Sequence, residues 1–229
     1  MYLERPSSLP HVVAWWSVTP RGAPPKRILP DGCLDLIWQD GAVFVAGPDT
    51  TAQVGCAAAG SRLFALRFGS GTGPGVLGLP ACEVVDQRVP LEALWPAALV
   101  RRVAEAADPL AALTAAARSR WQQPDPTMVA LAASARAGGS IRAFADRCGL
   151  SPRQLQRRSN TAFGYGPKTL ARVFRLQRAV DLARSGSPFA AVSAEAGYAD
   201  QAHLAREVRA MAGVPLGSLV GAASPVSSS

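Results

Sequence analysis

Between residues 151 and 158 the chain reads Ser-Pro-Arg-Gln-Leu-Gln-Arg-Arg. Wound as a helix, this stretch turns Leu155 inward and leaves Arg153, Gln156, Arg157 and Arg158 on the open face. A guanidinium can hydrogen-bond a guanine edge bidentately, and a glutamine amide can do the same for adenine. The chemistry on offer is recognition of a nucleic acid rather than bond making. Elsewhere the residues for catalysis or metal binding are sparse. Cys33, Cys56, Cys82 and Cys148 are scattered with no C-x-x-C pair. Neither a zinc ribbon nor a disulfide framework is spelled out, and all four are expected to be reduced and mostly buried. His11 and His203 are the only histidines, so no histidine-rich metal site is expected. Cys33 follows a turn without the neighbouring base or partner thiol of a redox sensor. The glycine-rich stretch 69–78 lacks the terminal Gly-Lys-Ser/Thr of a phosphate loop. No cofactor, metal or catalytic residue is expected, and the chain does not read as an enzyme.

The charge distribution points the same way. Residues 1–125 hold 11 Lys+Arg and 11 Asp+Glu, while residues 126–229 hold 13 and 5, so the whole net charge of +8 lies in the second half. Arginine outnumbers lysine 22 to 2. Biased codon usage would enrich arginine throughout and would not leave the first half neutral. A polyanion is therefore attracted to the second half alone. The chain opens Met1-Tyr2-Leu3-Glu4-Arg5-Pro6, an acid and a proline where a signal peptide needs a basic patch and an apolar run. No stretch approaches the ~18 uninterrupted apolar residues of a membrane span. A soluble, cytoplasmic protein is the expectation.

The elements that position these residues fall into two groups. Residues 11–18, 34–38, 42–46, 51–56 and 62–68 are short apolar or alternating runs, separated by turn chemistry such as Asp40-Gly41 and Gly47-Pro48-Asp49. They read as strands, and Asp40-Gly41 as a hairpin turn. From Leu91 to Gln123 the pattern becomes helical, broken by Pro96 and Asp108-Pro109. The run Gln122-Gln123-Pro124-Asp125-Pro126 interrupts it and marks a domain boundary. The fold class read from this is α+β: a β-rich domain with flanking helices over 1–123, an all-α domain over 124–221, and a disordered tail over 222–229.

Past the boundary the chain is helix with sharp punctuation. A helix over about 127–137 stops at Gly138-Gly139. Ser140 caps a second, whose inward face carries Ile141, Phe144, Ala145 and Cys148. Gly149 permits a tight turn, and Ser151 caps a third helix with Pro152 at its first position and Gln154 at the capping-box position. This is the grammar of a helix-turn-helix. It recurs about fifty residues on. Ser187-Pro188 opens a helix with Phe189, Val192 and Ala196 inward, Gly197 makes the turn, and Asp200 caps a helix containing Leu204 and Val208. Glycine-to-leucine spacing is six residues in the first unit (Gly149, Leu155) and seven in the second (Gly197, Leu204). Nine residues after each leucine comes another glycine, Gly164 and Gly213. A helix over 167–184 joins the units.

Over residues 126–220 the chain resembles the AraC/XylS family of bacterial transcription regulators. The carriers are "IRAFADRCGLSPRQLQRR", "GYGPKTLARVFRLQRAVDLAR" and "AAVSAEAGYADQAHLAREVRAMAGVPLGSLV". The resemblance implies that the long middle helix sets two recognition helices into successive major grooves, about one helical turn (~10 bp) apart. It implies base-facing roles for Arg153, Gln156 and Arg157 in the first unit and Gln201, His203 and Arg206 in the second. Ser151, Arg172 and Asp200 then serve for capping or backbone contact. Arg158 is either a further contact or a solvated surface charge. One departure is Ser159, where the family usually has a large apolar residue; Phe163 is the candidate to fill that space.

The stretches "LPDGCLDLIW", "VFVAGPDT" and "LRFGSGTGPGVLGLPACEVVDQRVPLEALW" resemble the N-terminal module of one AraC-type subgroup, β-rich and loosely cupin-like. In the family such a module binds a small effector, mediates dimerisation, or both. Trp15, Trp38, Phe44, Phe64 and Arg67 either line an effector pocket or fill a small sandwich core. The implied partners are double-stranded DNA, a small effector, a second copy of the chain and, for an activator, RNA polymerase; no membrane is expected. Two alternatives stay open: a non-specific architectural DNA binder, and an alkyl-transfer repair regulator, against which the cysteine spacing argues. The helical region 91–121 is the candidate for dimerisation or interdomain coupling.

Overall fold

Alternation along the central strands decides the architecture of the first half. In the computed structural model, which describes residues 2–220, Leu34, Leu36 and Trp38 point to one face of a strand and Asp35, Ile37 and Gln39 to the other. The strands are β1 (Tyr2–Pro6), β2 (Val12–Val18), β3 (Lys26–Ile28), β4 (Leu34–Gln39), β5 (Ala42–Ala46), β6 (Gln53–Gly55), β7 (Arg62–Phe68) and β8 (Arg88–Pro90). Six form an antiparallel sheet in the order β1-β2-β7-β4-β5-β8, and β3 pairs with β6 in a separate two-stranded sheet. The β4–β5 turn is the expected Asp40-Gly41, with φ of 49° and 95°, the two left-handed residues that a tight hairpin of this twist needs.

Helices α1 (Gly73–Leu77), α2 (Ala97–Ala104) and α3 (Pro109–Ser119) cover one face of the large sheet. Leu36, Val45, Leu66, Phe68, Leu91, Leu113 and Ala117 are fully buried between the layers. The region expected to serve dimerisation or coupling thus spends its apolar side on the chain's own sheet. Trp38 donates its indole N–H to the Ala104 carbonyl at 2.9 Å, fixing α2 on the sheet.

The second half is entirely helical: α4 (Pro126–Arg136), α5 (Ile141–Arg147), α6 (Pro152–Phe163), α7 (Pro167–Arg184), α8 (Phe189–Glu195), α9 (Gln201–Ala212) and α10 (Leu216–Val220). Helix α7 is the axis. Its Leu170, Val173, Leu176, Ala179 and Val180 are buried, because α4 and α5 pack on it from one unit and α8, α9 and α10 from the other. The buried members of one apolar core end at Ala117 and those of the other begin at Met128. The expected tail lies outside the described residues. No helix among them is long and apolar enough to cross a membrane.

Two expectations need correction. All four cysteines are free, but Cys56, Cys82 and Cys148 are exposed and Cys33 is half-buried. Cys148 caps the end of α5 instead of lying on its inward face. Phe189 is also exposed, at 46%. It stands at the first position of α8, a full turn before the buried residues Val192 and Ser193.

The two halves meet along an extended seam. Leu29 and Val85 of the first half pack onto the helical core. Arg27 donates to the Ala212 carbonyl at 2.8 Å, the Ala52 amide donates to the Met211 carbonyl at 2.7 Å, and Gln177 donates to the Pro30 carbonyl. Beside this seam lies Asp49, whose carboxyl is pushed up to about 7 by burial and by the neighbouring Asp86, with Arg88 opposing and Asp31 and Asp35 adding to the rise. The folded chain therefore holds this proton more tightly than the unfolded chain, whose aspartate titrates near 3.8. Stability from this group is fully present below pH ~4 and is lost as pH rises through ~7. Urea midpoints measured from pH 4 to 8 are expected to show this downward contribution in the wild type, and Asp49→Asn is expected to remove it. Identical pH slopes for the two proteins would refute the assignment.

Candidate nucleic-acid interface

Each expected reading helix is built by its own cap. Ser151 accepts from the Gln154 amide at 3.3 Å while Gln154 Oε1 accepts from the Ser151 amide at 2.9 Å, a complete capping box at the start of α6. Asp200 accepts from the His203 amide at 2.6 Å at the start of α9. Gly164 and Gly213, both left-handed, end the two helices. The repeat read from residue spacing is thus a repeat of caps and stops. Ser151 and Asp200, expected to serve for capping or backbone contact, are the caps of these helices.

On α6, Leu155, Ser159, Ala162 and Phe163 are buried, and Arg153, Gln156 and Arg157 are exposed. Gln156 donates to Asn160 Oδ1 at 2.9 Å along the helix. On α9, Leu204, Glu207, Val208, Met211 and Ala212 are buried, and Gln201 and Arg206 are exposed. His203 is half-buried and tied into its own unit. Its Nδ1 accepts from the Ala199 amide at 3.3 Å, its Nε2 lies 3.5 Å from Glu207, and its ring meets Tyr198 edge-on.

Arg158 is neither a free contact nor a solvated charge. It grips Asp125 with Nε at 3.0 Å and Nη2 at 2.7 Å, tying α6 to the start of α4, where Asp125 also caps the Thr127 amide. Burial alone would raise the Asp125 carboxyl. The Arg158 hydrogen bonds and charge, with the Thr127 amide, outweigh it and hold the group below the usual range. Ser159, the departure from the family pattern, is fully buried, with no hydrogen-bond partner for its hydroxyl among the described residues. Phe163, four residues on, is also buried, but its ring lies against Gly71 of the first half.

The group that sequence reading missed is Glu207, only 8% exposed. Arg172 donates from Nε to its Oε1 at 2.6 Å, and Arg175 Nη2 stands 3.5 Å from Oε2. Arg175 also donates to the Gly197 carbonyl at 3.1 Å and lies over the Tyr198 ring. Arg172, expected as a capping or phosphate-contacting residue, thus clamps α9 to α7. The signal was present: residue 207 lies three after Leu204 and four before Met211, on the inward stripe of α9.

The five residues expected to line an effector pocket do not share one. Trp38 and Phe64 lie on the helix-covered face of the large sheet, stacked edge-on at 5.6 Å. Trp15 and Phe44 lie on the opposite face, where Arg67 stands over Trp15 and pairs with Asp35 at 3.1 Å. Neighbouring positions along a pleated strand point to opposite faces, so the aromatics of these strands fall into two apolar layers.

Residues 144–220 match a family described as a helix-turn-helix domain, and residues 6–90 match a domain of unknown function (DUF6597). No match was found among curated proteins. Among solved structures the chain is similar to ToxT from Vibrio cholerae. To an apo form from strain SCE256 the identity is 8%, covering 92% of this chain and 97% of that one at a TM-score of 0.49. To the unsaturated fatty acid-bound wild-type form of the same strain the identity is 8%, covering 98% of each chain at a TM-score of 0.48.

Proposed function

From the premise that this chain carries an AraC-type helix-turn-helix domain at its C-terminus behind a β-rich N-terminal domain, we propose that it is a sequence-specific DNA-binding transcription regulator, with its reading domain over 124–221 and its controlling domain over 1–123. The single observation that carries this reading is the pair of capped helices, α6 and α9, mounted on one central helix with arginine and glutamine on their open faces. The 18-residue α7 is roughly 27 Å long. That is most of the ~34 Å separating successive turns of one DNA groove.

Arg153, Gln156 and Arg157 read the first groove segment, and Gln201 and Arg206 the second. The tethered His203 shapes the second surface and reaches a base edge only if it leaves Ala199. Ser151 and Asp200 fix helix starts near the phosphates, and Arg172 acts through Glu207. The first domain conditions this reading by binding a small effector or a second copy of the chain. For an activator, RNA polymerase is the further partner.

The test is binding of the full chain to fragments of its own genome, with random DNA as competitor, at two salt concentrations. Selective retention of a few promoter fragments is expected. Arg206→Ala should then weaken specific binding by about 1–3 kcal/mol, roughly 5–150-fold, and relax base preference in the second segment. Equal losses on specific and random DNA would sink the assignment. Uniform, steeply salt-dependent binding would show an architectural protein instead.

A further inference from the structure

Both reading helices are gripped at their C-terminal ends by the first domain, and the helix joining them is gripped in its middle. The last turn of α6 packs on the segment around Ala81, where Gly164 faces Val85, Pro48 and the Ala81 carbonyl, and the Phe163 ring meets Gly71. The last turn of α9 is held by the small sheet. Arg27 of β3 bonds the Ala212 carbonyl, and the Ala52 amide, just before β6, bonds the Met211 carbonyl. Between them, Gln177 of α7 bonds the Pro30 carbonyl, and Phe174 packs on Gly32. The N-terminal halves of α6 and α9 carry the exposed Arg153, Gln156, Arg157, Gln201 and Arg206.

We propose that Arg27 is a positioning residue for the second reading helix, and that the two-stranded sheet β3–β6 is the element through which the first domain sets how α9 meets DNA. The inference rests on the DNA-reading function proposed above. The chemistry is specific. The final carbonyls of a helix have no partner within it and carry its negative dipole end, so a guanidinium bonding there both satisfies a carbonyl and favours the charge. Arg27 is the side chain that does this for α9, and it comes from 185 residues away in sequence. A shift of the β3–β6 pair therefore moves the end of α9 directly. The attachment of α6, made by a different segment, is left in place. The first domain thereby has separate hold of the two reading heads.

The test uses the full chain with Arg27→Ala and Arg27→Lys. First, amide hydrogen exchange is followed without DNA. Arg27→Ala is expected to speed exchange in the last turn of α9 and leave α6 unchanged. Second, a DNA site is selected from random duplexes with the wild type. Arg27→Ala is expected to bind it about tenfold more weakly, with base preference lost in the segment read by Arg206 and kept in the other. Arg27→Lys, which can still offer a charged donor to the carbonyl, should recover most of the affinity. Wild-type exchange at residues 211–213 in Arg27→Ala, or equal weakening of both segments, would overturn the proposal. If the wild type selects no sequence, the regulator reading fails and the role in DNA binding with it. The exchange measurement then still decides whether Arg27 holds α9.

Discussion

Gly164→Ala is expected to lower the unfolding free energy by about 2–5 kcal/mol and to weaken the docking of the first reading helix. Two costs add. Gly164 ends α6 at φ 87°, where a side chain costs about 1–2 kcal/mol. Its Cβ would also stand 2.2 Å from Val85 Cγ2 and 3.1 Å from both the Ala81 carbonyl oxygen and Pro48 Cγ. Valine is stiff at its first torsion and the carbonyl is backbone, so neither neighbour yields cheaply, and forced overpacking costs about 1–3 kcal/mol. Gly149→Ala is the control. Gly149 is left-handed too, at φ 63°, but nothing lies within 4 Å of its Cβ position, so only the strain of ~1–2 kcal/mol should appear. Urea unfolding of both variants separates the terms. Equal losses would mean that the seam at Gly164 is not packed as described.

The Arg172→Ala/Arg175→Ala double variant is expected to be destabilised by about 3–5 kcal/mol, and Glu207→Gln by clearly less. The asymmetry follows from which partner is buried. Glu207 is 8% exposed, whereas the Arg172 and Arg175 side chains are 45% and 28% exposed. Removing both arginines leaves a buried carboxylate with neither guanidinium and with His203 Nε2, at 3.5 Å, to face it, the costly way to break such a group. Neutralising Glu207 leaves two arginines that water can still reach. The double variant also gives up the Arg175 bond to the Gly197 carbonyl, which fixes the turn of the second helix-turn-helix. Denaturant midpoints of the two proteins decide the matter. A Glu207→Gln loss equal to or larger than that of the double variant would contradict the reading of Glu207 as the buried partner.

Much of the C-terminal half was legible because its signals are local. Ser140, Ser151 and Asp200 cap helices by bonding amides three residues on, and Gly164 and Gly213 stop them by adopting a backbone shape open to glycine. A hydroxyl or carboxylate at the right offset does this wherever the chain lies, so residue spacing alone marks α5, α6 and α9. The Asp40-Gly41 hairpin was legible for the same reason.

What the sequence hid is long-range. Strand β3 is three residues whose partner begins 25 positions later, and nothing near Arg27 announces a bond to Ala212. Arg158 and Asp125 are 33 residues apart, and Arg172 and Glu207 are 35 apart. A charged side chain reads as surface until its partner is known. The aromatics of the first half announced burial but not which face they share. By itself the sequence determined the C-terminal helices, their caps, the two-unit repeat and the outward side chains of α6 and α9, since each depends on neighbours a few residues away. The tertiary structure alone decided which arginines are free and which are clamps, that the aromatics form two layers, and that the first domain holds both reading helices. Those outcomes depend on which distant groups the folded chain brings within hydrogen-bonding or packing distance.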